Sequence, residues 1–290
     1  TGSDSEDYQI HAHDAKVQEF YYSVTLAMWD YMRKSFSKGF VISLSGGADS
    51  SACLVLAVKA IERARKALGE EGFQEALSYA NLNWSKPIVP QLITTVYQAT
   101  DNSTEDTETS ARMLAESLGV TYYRWDVQQE VSHYTSQTEG SLGRKLTWAD
   151  DDLTLQNIQA RVRAPGVWML ANERNALLLS TSNRSEAAVG YATMDGDTSG
   201  GLAPLAGIDK HTLLNWLHWA ETALDLPALR YVNSLQPSAE LRPTTEAQTD
   251  EEDLMPYPFL AKIEDMAIRH YQSPLECFIS LRGLTDDERL

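Results

Sequence analysis

The chain contains little cysteine, few basic residues and no apolar run that approaches the length of a membrane span. Only Cys53 and Cys277 occur among its 290 residues, too few for a disulfide framework or a thiolate metal site. The 24 Lys and Arg residues against 41 Asp and Glu give a formal charge of −17, which argues against nonspecific binding to nucleic acid or anionic membranes. We therefore expect a cytoplasmic protein that binds neither and gathers its few cations where an anionic ligand binds.

The most informative motif is the sequence SGGADS at residues 45–50, directly after the apolar run FVISL. Two glycines let the backbone approach a ligand, and the N–H groups at a helix start bind anionic oxygens. No Lys follows the glycines, and the spacing is too short for the common G-x-x-x-x-G-K-[ST] loop. The motif therefore predicts a loop that holds the pyrophosphate part of ATP. The alternative is a tight turn in which the glycines serve geometry only.

The hydrophobic pattern alternates between short apolar runs and amphipathic segments, which is typical of βαβ units and predicts a doubly wound α/β fold. The mostly parallel sheet would be flanked by helices, and the part after Leu205, with a helix opening at Asp209, would be mainly helical. Residues 69–90 are expected to form a surface connection with one short helix. The predicted strands are 40–44, 92–97, 120–125 and 176–180, and the predicted helices before that part are 14–35, 52–68, 105–118 and 153–172.

The usual strand order of such folds places the first strand beside the fourth, with ligands at their carboxyl ends. The polar sequence TSNRSE at residues 181–186 follows the fourth strand, opposite the glycine loop. Asp49 and Glu186 are therefore expected to converge on a Mg²⁺ ion bound to ATP. The alternative for Glu186 is an acid in the first turn of a helix, favoured there by the helix dipole.

Four further segments make the ATP prediction specific. They are LQNIQARVR at residues 155–163, residues 179–190, the pair GD at 196–197, and PSAEL at 237–241. Together with the loop they resemble the NAD synthetase family over residues 20–279. The likeness is greatest to the synthetase domain of the glutamine-dependent enzymes, which share the stretch QTDEED at 248–253. The resemblance implies an adenine nucleotide alpha hydrolase-like fold of the ATP pyrophosphatase type.

The resembled family activates the nicotinate carboxylate of deamido-NAD with ATP and Mg²⁺, and so forms an adenylated intermediate and pyrophosphate. Ammonia then displaces AMP to give NAD. No protein nucleophile is needed in this chemistry, so catalysis would rest on positioning and charge stabilisation at the transferring phosphorus. The resemblance also implies a homodimer or higher homo-oligomer, with an interface on the helix at residues 159–171 where Val167, Trp168 and Leu170 would face a partner. The alternative is that this apolar helix is buried within its own chain.

The resemblance assigns roles to individual residues. Since Arg161 and Arg163 are two positions apart on one helix, they point different ways, and we expect Arg163 to reach the ligand. An exposed lysine without a role is the alternative at Lys210. The implied roles are catalysis by Asp49, Lys210 and Glu186; ATP binding by Ser45, Gly46, Gly47, Asp49, Ser50, Thr181, Lys210 and Ser238; deamido-NAD binding by Asn157, Arg161 and Arg163; and metal binding by Asp49 and Glu186.

Some positions depart from the family pattern. Met194 and Gly201 stand where the ammonia-dependent branch has a Lys and an Asp that contact deamido-NAD, and residues 281–290 lack the lysine-rich end of some relatives. The acidic run at residues 250–253 has the composition of a solvated loop, whereas the resemblance suggests a mobile flap near the site. We expect residues 1–290 to be a single synthetase domain without a glutamine amidase domain, which either uses free ammonia or forms one part of a larger enzyme.

Two other functions are compatible with the loop. The first is a related ATP pyrophosphatase ligase, such as a GMP-synthetase-like enzyme, that acts on another carboxylate or carbonyl. The second is a regulatory domain that binds a nucleotide without performing chemistry. The presence of Asp49, Glu186 and Lys210 together counts against the second, since simple binding has little need of two metal carboxylates and a phosphate cation.

Overall fold

The computed structural model describes residues 3–236, 241–242 and 249–282. Within them, parallel strands form one sheet in the order β3-β2-β1-β4. No helix in these ranges combines the length and apolar character needed to cross a membrane. The strands are β1 (Phe40–Ser43), β2 (Ile93–Ala99), β3 (Thr121–Asp126) and β4 (Leu177–Leu179).

Helices cover both faces of this sheet, and the described part after β4 is mainly helical, as predicted. The doubly wound α/β fold is therefore confirmed. The first helices are α1 (Ser3–Lys34), α2 (Ala48–Ala76), α3 (Val89–Leu92), α4 (Glu105–Ser117), α5 (Gln128–Leu142) and α6 (Trp148–Arg174). They are followed by α7 (Arg184–Val189), α8 (Lys210–Ala223), α9 (Leu229–Asn233), α10 (Asp250–Asp253), α11 (Tyr257–Glu264) and α12 (Pro274–Leu281).

The first strand lies between the second and the fourth strands of the sheet. In β1, Phe40 pairs with Ile93 of β2 on one side and with Leu177 of β4 on the other, so the predicted contact of first and fourth strands is confirmed. One face of the sheet packs on α6, and the other on α2, with α1 and α8 behind it. The carboxyl ends of β1 and β4 thus lie side by side, and so do the loops that follow them.

Some boundaries differ from the prediction. Residues 69–90 are not only a surface connection, because α2 continues past Gly69 (φ 68°) and buries Phe73, whose ring stacks on Trp29 at 5.5 Å. They also contain a short 3₁₀ helix at Ser78–Ala80. Helix α5 was not predicted, since no residue of it is buried and its sequence has no apolar stripe. Helix α6 begins earlier than predicted, because Thr147 caps it by accepting a hydrogen bond from the Asp150 N–H.

One expectation for the surface of α6 is wrong. Val167 is only 2% exposed and packs with Val41 and Val96 of the sheet, so it does not face a partner. Leu170 packs against the same cluster. The next helical face carries Trp168 and Met169, which are exposed. The helical period places Val167 and Leu170 on one face of α6 and Trp168 and Met169 on another. The sequence did not show which of the two faces packs on the sheet.

The glycine before β1 generates a prediction about stability. Gly39 has φ 121°, and a Cβ there would lie 1.8 Å from the Leu92 carbonyl oxygen. We expect Gly39→Ala to lower the free energy of unfolding by about 3 kcal/mol or more, because the backbone of α3 and β2 must shift. Urea denaturation measures this. The control is Gly119→Ala, at φ 63° with no described atom within 4 Å, which should cost about 1 kcal/mol. Equal losses in the two variants would contradict the steric argument.

Candidate active site

The loop between β1 and α2 combines a strained glycine with an open helix start. Gly46 has φ 86°, and a Cβ there would lie 2.1 Å from the Thr107 carbonyl oxygen, so only glycine fits. Ser110 Oγ donates to the Gly46 carbonyl at 2.9 Å, which ties the turn to α4. Gly47 is the N-cap residue of α2 and offers no side-chain cap to the first-turn N–H groups. These N–H groups can therefore bind an anion.

The second loop leads from β4 into α7, where Asn183 and Glu186 form a capping box. Asn183 Oδ1 accepts from the Glu186 N–H at 3.0 Å, and Glu186 Oε2 accepts from the Asn183 N–H at 3.3 Å. Glu186 is therefore a first-turn helix acid, as the alternative interpretation had it. Its carboxylate also lines the cavity beside the glycine loop. The two interpretations of Glu186 are compatible.

Asn183 brings the two loops together. Its Nδ2 donates to Asp49 Oδ1 at 2.8 Å and to Glu186 Oε1 at 2.7 Å. Because Asp49 stands in the first turn of α2 and Glu186 in the first turn of α7, both carboxylates lie at the carboxyl ends of neighbouring strands. The structure thus places side by side the two acids that the sequence paired.

Lys210 completes this cluster from a third element. It is the first residue of α8, directly after the N-cap Asp209, and it is 3% exposed, so it is not a surface lysine. Its Nζ donates to Asp49 Oδ2 and lies 3.6 Å from Glu186 Oε1 and 4.0 Å from Asp250 Oδ2. Its backbone N–H donates to Ser185 Oγ at 3.1 Å, which ties α8 to α7.

The cluster holds more negative than positive charge. Burial and the neighbouring Asp49 carboxylate raise the pKa of Glu186 above its ordinary value. Burial alone would lower the pKa of Lys210, but the surrounding carboxylates raise it instead. Burial also raises the pKa of Asp250. One ammonium group thus faces three carboxylates, and a cation would relieve their repulsion.

The donor set fits Mg²⁺ better than a metal held by protein ligands alone. Among the described residues, no three or more His, Cys, Asp or Glu side chains surround one metal position. Mg²⁺ commonly takes one or two protein carboxylates and fills its other positions with phosphate oxygens and water. Asp49 and Glu186 offer such a pair, and Asp250 Oδ1 nearby is buried without a hydrogen-bond partner in the structure. The chemistry of these side chains therefore suits the ion.

A cavity of about 320 Å³ opens between the two loops and α6. Its walls include most of the predicted site residues. Gly46 is not among them, because its carbonyl is turned toward Ser110. The predicted residues that line the cavity are Ser45, Gly47, Asp49, Ser50, Arg163, Thr181, Glu186 and Lys210.

The predicted dinucleotide residues on α6 divide between two positions. Arg163 lines the cavity, and its Nε donates to the Gln98 carbonyl at 3.4 Å. Arg161 is exposed outside the cavity, where its Nε donates to the Met194 carbonyl at 3.0 Å. Asn157 is also outside and accepts from Thr193 Oγ1 at 2.8 Å. Ser238 lies outside the described residues.

The prediction omitted several polar residues around the cavity. Asp250 lines it, so the expectation of a solvated loop is wrong for this residue; it accepts from Tyr257 Oη at 2.8 Å. Asp197 also lines the cavity, accepts from the Thr193 N–H at 2.8 Å, and has a pKa raised by burial. Asn183 was omitted too, although N-x-x-E is a capping-box signature that could have marked it. No comparable local pattern marks the burial of Asp250.

Comparison with known proteins identifies the family of this chain. A family model described as NAD synthase matches residues 21–279. A glutamine-dependent NAD(+) synthetase of Aquifex aeolicus is 31% identical over 280 residues, which are 96% of this chain and 43% of the relative. Another, from Oryza sativa subsp. indica, is 32% identical over 263 residues, or 82% of this chain and 36% of the relative.

A solved structure of the same family also has the fold of this chain. The crystal structure of a glutamine-dependent NAD(+) synthetase from Cytophaga hutchinsonii matches with a TM-score of 0.83 and 44% identity, over 93% of this chain and 45% of that chain. The chain thus spans less than half the length of these relatives. Because the family model covers most of the sequence and includes both loops of the site, the chain belongs to the NAD synthase family.

Proposed function

We propose that this chain catalyses the ATP- and Mg²⁺-dependent amidation of deamido-NAD to NAD, with ammonia as the nitrogen donor and AMP and pyrophosphate as the other products. The observation that carries the proposal is the meeting of Asp49, Glu186 and Lys210 beside the glycine loop in one cavity. Family membership supplies the substrate class. The relatives named above are glutamine-dependent NAD(+) synthetases, which supports the amidation chemistry.

The reaction would proceed in two displacements. A carboxylate oxygen of the nicotinate group attacks the α-phosphorus of ATP, the bond from that phosphorus to the bridging oxygen breaks, and pyrophosphate leaves. Ammonia then attacks the activated carbonyl carbon, the bond to the AMP oxygen breaks, and a proton is lost from nitrogen. The amide and AMP remain. No step needs a protein nucleophile, so the chain supplies orientation and charge.

The residues of the cavity have complementary roles in this proposal. Ser45, Ser50 and the N–H groups that begin α2 hold the pyrophosphate part of ATP. Lys210 offers its ammonium to the phosphate oxygens, and Thr181, which also lines the cavity, contacts the ATP. Mg²⁺, held by Asp49 and Glu186, would neutralise phosphate charge when bound. Gly46 and Gly47 shape the loop, and Ser238 is assigned to the same triphosphate by resemblance.

The dinucleotide would lie toward α6. Arg163 is the cation of α6 that lines the cavity, which supports it as the contact to deamido-NAD. Arg161 and Asn157 stand outside the cavity near Met194 and Thr193, and we assign them to a more distant part of the dinucleotide. The ammonia-dependent branch contacts deamido-NAD through a Lys and an Asp at the positions of Met194 and Gly201. We assign no such contacts to these two residues.

We also propose a homodimer in a reducing, cytoplasmic compartment. The two thiols, Cys53 and Cys277, are both unpaired and buried, which supports a reducing environment. Trp168 and Met169 are exposed on α6, and Trp168 lies seven positions after the exposed Arg161 and so on the same helical face, which supports an interface there. An interface there would lie beside Arg161, which we assign to a more distant part of the dinucleotide.

The first prediction about activity tests the paired carboxylates. Asp49→Asn and Glu186→Gln remove one negative charge each while keeping shape, so Mg²⁺ binding should weaken. We expect pyrophosphate release from ATP in the presence of deamido-NAD and ammonium to fall about 100-fold or more, with folding retained. Asp225→Asn, an exposed residue at φ 52° that asparagine accommodates, is the matched control and should retain full activity.

Full activity of either site variant would show that the metal assignment is wrong. The same assay separates the alternatives. Turnover with xanthosine monophosphate instead of deamido-NAD would indicate a GMP-synthetase-like ligase. Nucleotide binding without turnover on any substrate would indicate a regulatory domain.

A second prediction concerns the nitrogen donor. Glutamine hydrolysis needs an accessible nucleophile, commonly a thiolate of low pKa. Cys53 is fully buried in α2, and burial raises its thiol pKa well above the ordinary value, while Cys277 is buried in α12. We expect this chain to form NAD with ammonium and not with glutamine. A steady-state assay with each donor measures it, and equal rates with glutamine would refute the prediction.

The third prediction concerns the oligomer. In sedimentation at micromolar concentration, we expect a species of twice the 32.3 kDa chain mass. Met169→Glu should shift it to the monomer, because the side chain is 65% exposed on the proposed interface and a charge there would be desolvated. Leu26→Glu, on the exposed surface of α1, is the control and should leave the dimer intact. A wild-type monomer under these conditions would remove the proposal.

A further inference from the structure

Asn183 forms hydrogen bonds through both polar atoms of its side chain. It is 0% exposed. Both hydrogens of its amide are donated, one to Asp49 Oδ1 at 2.8 Å and one to Glu186 Oε1 at 2.7 Å. Its Oδ1 accepts from the Glu186 N–H at 3.0 Å, which fixes the orientation of the amide because an N–H group can face only the oxygen.

The capping role alone does not account for an asparagine here. Serine and aspartate are equally good N-cap residues, and the cap uses only an oxygen acceptor. Ser273 shows this at the start of α12, where it forms the same capping box with Glu276 through a hydroxyl group. What asparagine adds at position 183 is an NH₂ group, and both of its hydrogens point at carboxylates.

We infer that Asn183 is a positioning residue that holds Asp49 and Glu186 together as one divalent-cation site. This inference deepens the proposed function and rests on it for the identity of the reaction. Two close carboxylates repel each other, and an unsupported pair would separate or accept a proton. The two hydrogen bonds from a single amide fix their spacing, because both donors sit on the same nitrogen.

The neutrality of the amide is as important as its two hydrogens. A second lysine or an arginine in this place would hold the carboxylates equally well but would cancel the charge that attracts Mg²⁺. Asn183 takes one lone pair from each carboxylate through its amide and leaves the charge in place. Since a carboxylate has about four lone-pair sites, each of the two acids keeps capacity for a cation after these bonds are counted.

The test separates positioning from capping. Asn183→Ser keeps an oxygen that can cap α7 but has only one hydroxyl hydrogen, so it cannot bridge the two carboxylates. The matched control is Asn233→Ser, which removes an amide that donates to Glu221 Oε2 at 2.7 Å from a residue outside the cavity wall. Asn183→Thr, with the same acceptor, serves if the serine variant does not fold. The Tm of each variant is measured first, and we expect changes of a few degrees only.

The main readout is binding of Mn²⁺, as a paramagnetic substitute for Mg²⁺, to the full chain with α,β-methylene ATP, which cannot release pyrophosphate. We expect Asn183→Ser to weaken Mn²⁺ binding about tenfold or more, because the loss of a residue that hydrogen-bonds to metal ligands commonly has an effect of this size. Asn233→Ser should bind Mn²⁺ as the wild type does. In turnover assays, kcat should fall by a similar factor while the KM for deamido-NAD stays unchanged.

Unchanged Mn²⁺ affinity in a folded Asn183→Ser variant would overturn the inference, since a purely structural residue would affect Tm alone. The experiment also distinguishes this failure from failure of the proposed function. If Mn²⁺ binding depends on Asn183 but the wild type releases no pyrophosphate with deamido-NAD, the positioning role stands and the assigned reaction is wrong.

Discussion

The site depends on one buried ion cluster, in which the ammonium of Lys210 faces the carboxylates of Asp49, Glu186 and Asp250. These four residues stand at or near the starts of four different helices, so their contact fixes how those helices meet. Breaking such a cluster by removing the cation would leave buried charges without compensation, which commonly costs about 3–5 kcal/mol. The same cluster therefore contributes to the assembly of the fold and supplies the charges of the proposed chemistry.

The cluster also carries an energetic cost, because its net charge is negative and its groups are largely buried. Burial raises the pKa of Glu186 and Asp250, so the ionised forms that a metal would bind cost more free energy in the folded protein than in water. Lys210 and the amide of Asn183 counter this without filling every lone pair. Functional sites commonly carry such a cost, which well-packed surroundings must offset. Here the surroundings are β1 and the first turns of α2, where residues 40–42 and 52–58 are 0% exposed.

Much of this arrangement could be predicted because it is encoded locally. The loop at residues 45–50 and the polar segment at 181–186 are read from a few adjacent residues, and parallel βαβ topology brings the ends of β1 and β4 together without further information. The fold class and the contact of the first and fourth strands were predicted in this way, whereas the family was predicted from the resemblance of several further segments. Helix α5 escaped prediction because a helix that buries nothing has no apolar period to detect.

The sequence by itself determined the glycine loop, the parallel sheet and the pairing of Asp49 with Glu186, because hydrophobic period, glycine pairs and chain order can be read directly along the chain. Only the tertiary structure decided which other polar residues surround the cavity. The burial of Asp250 and the side of α6 on which Arg163 and Val167 lie depend on packing between elements far apart in the chain. So does the use of both Asn183 hydrogens, because the bond to Asp49 spans 134 positions and no local pattern encodes a contact of that range.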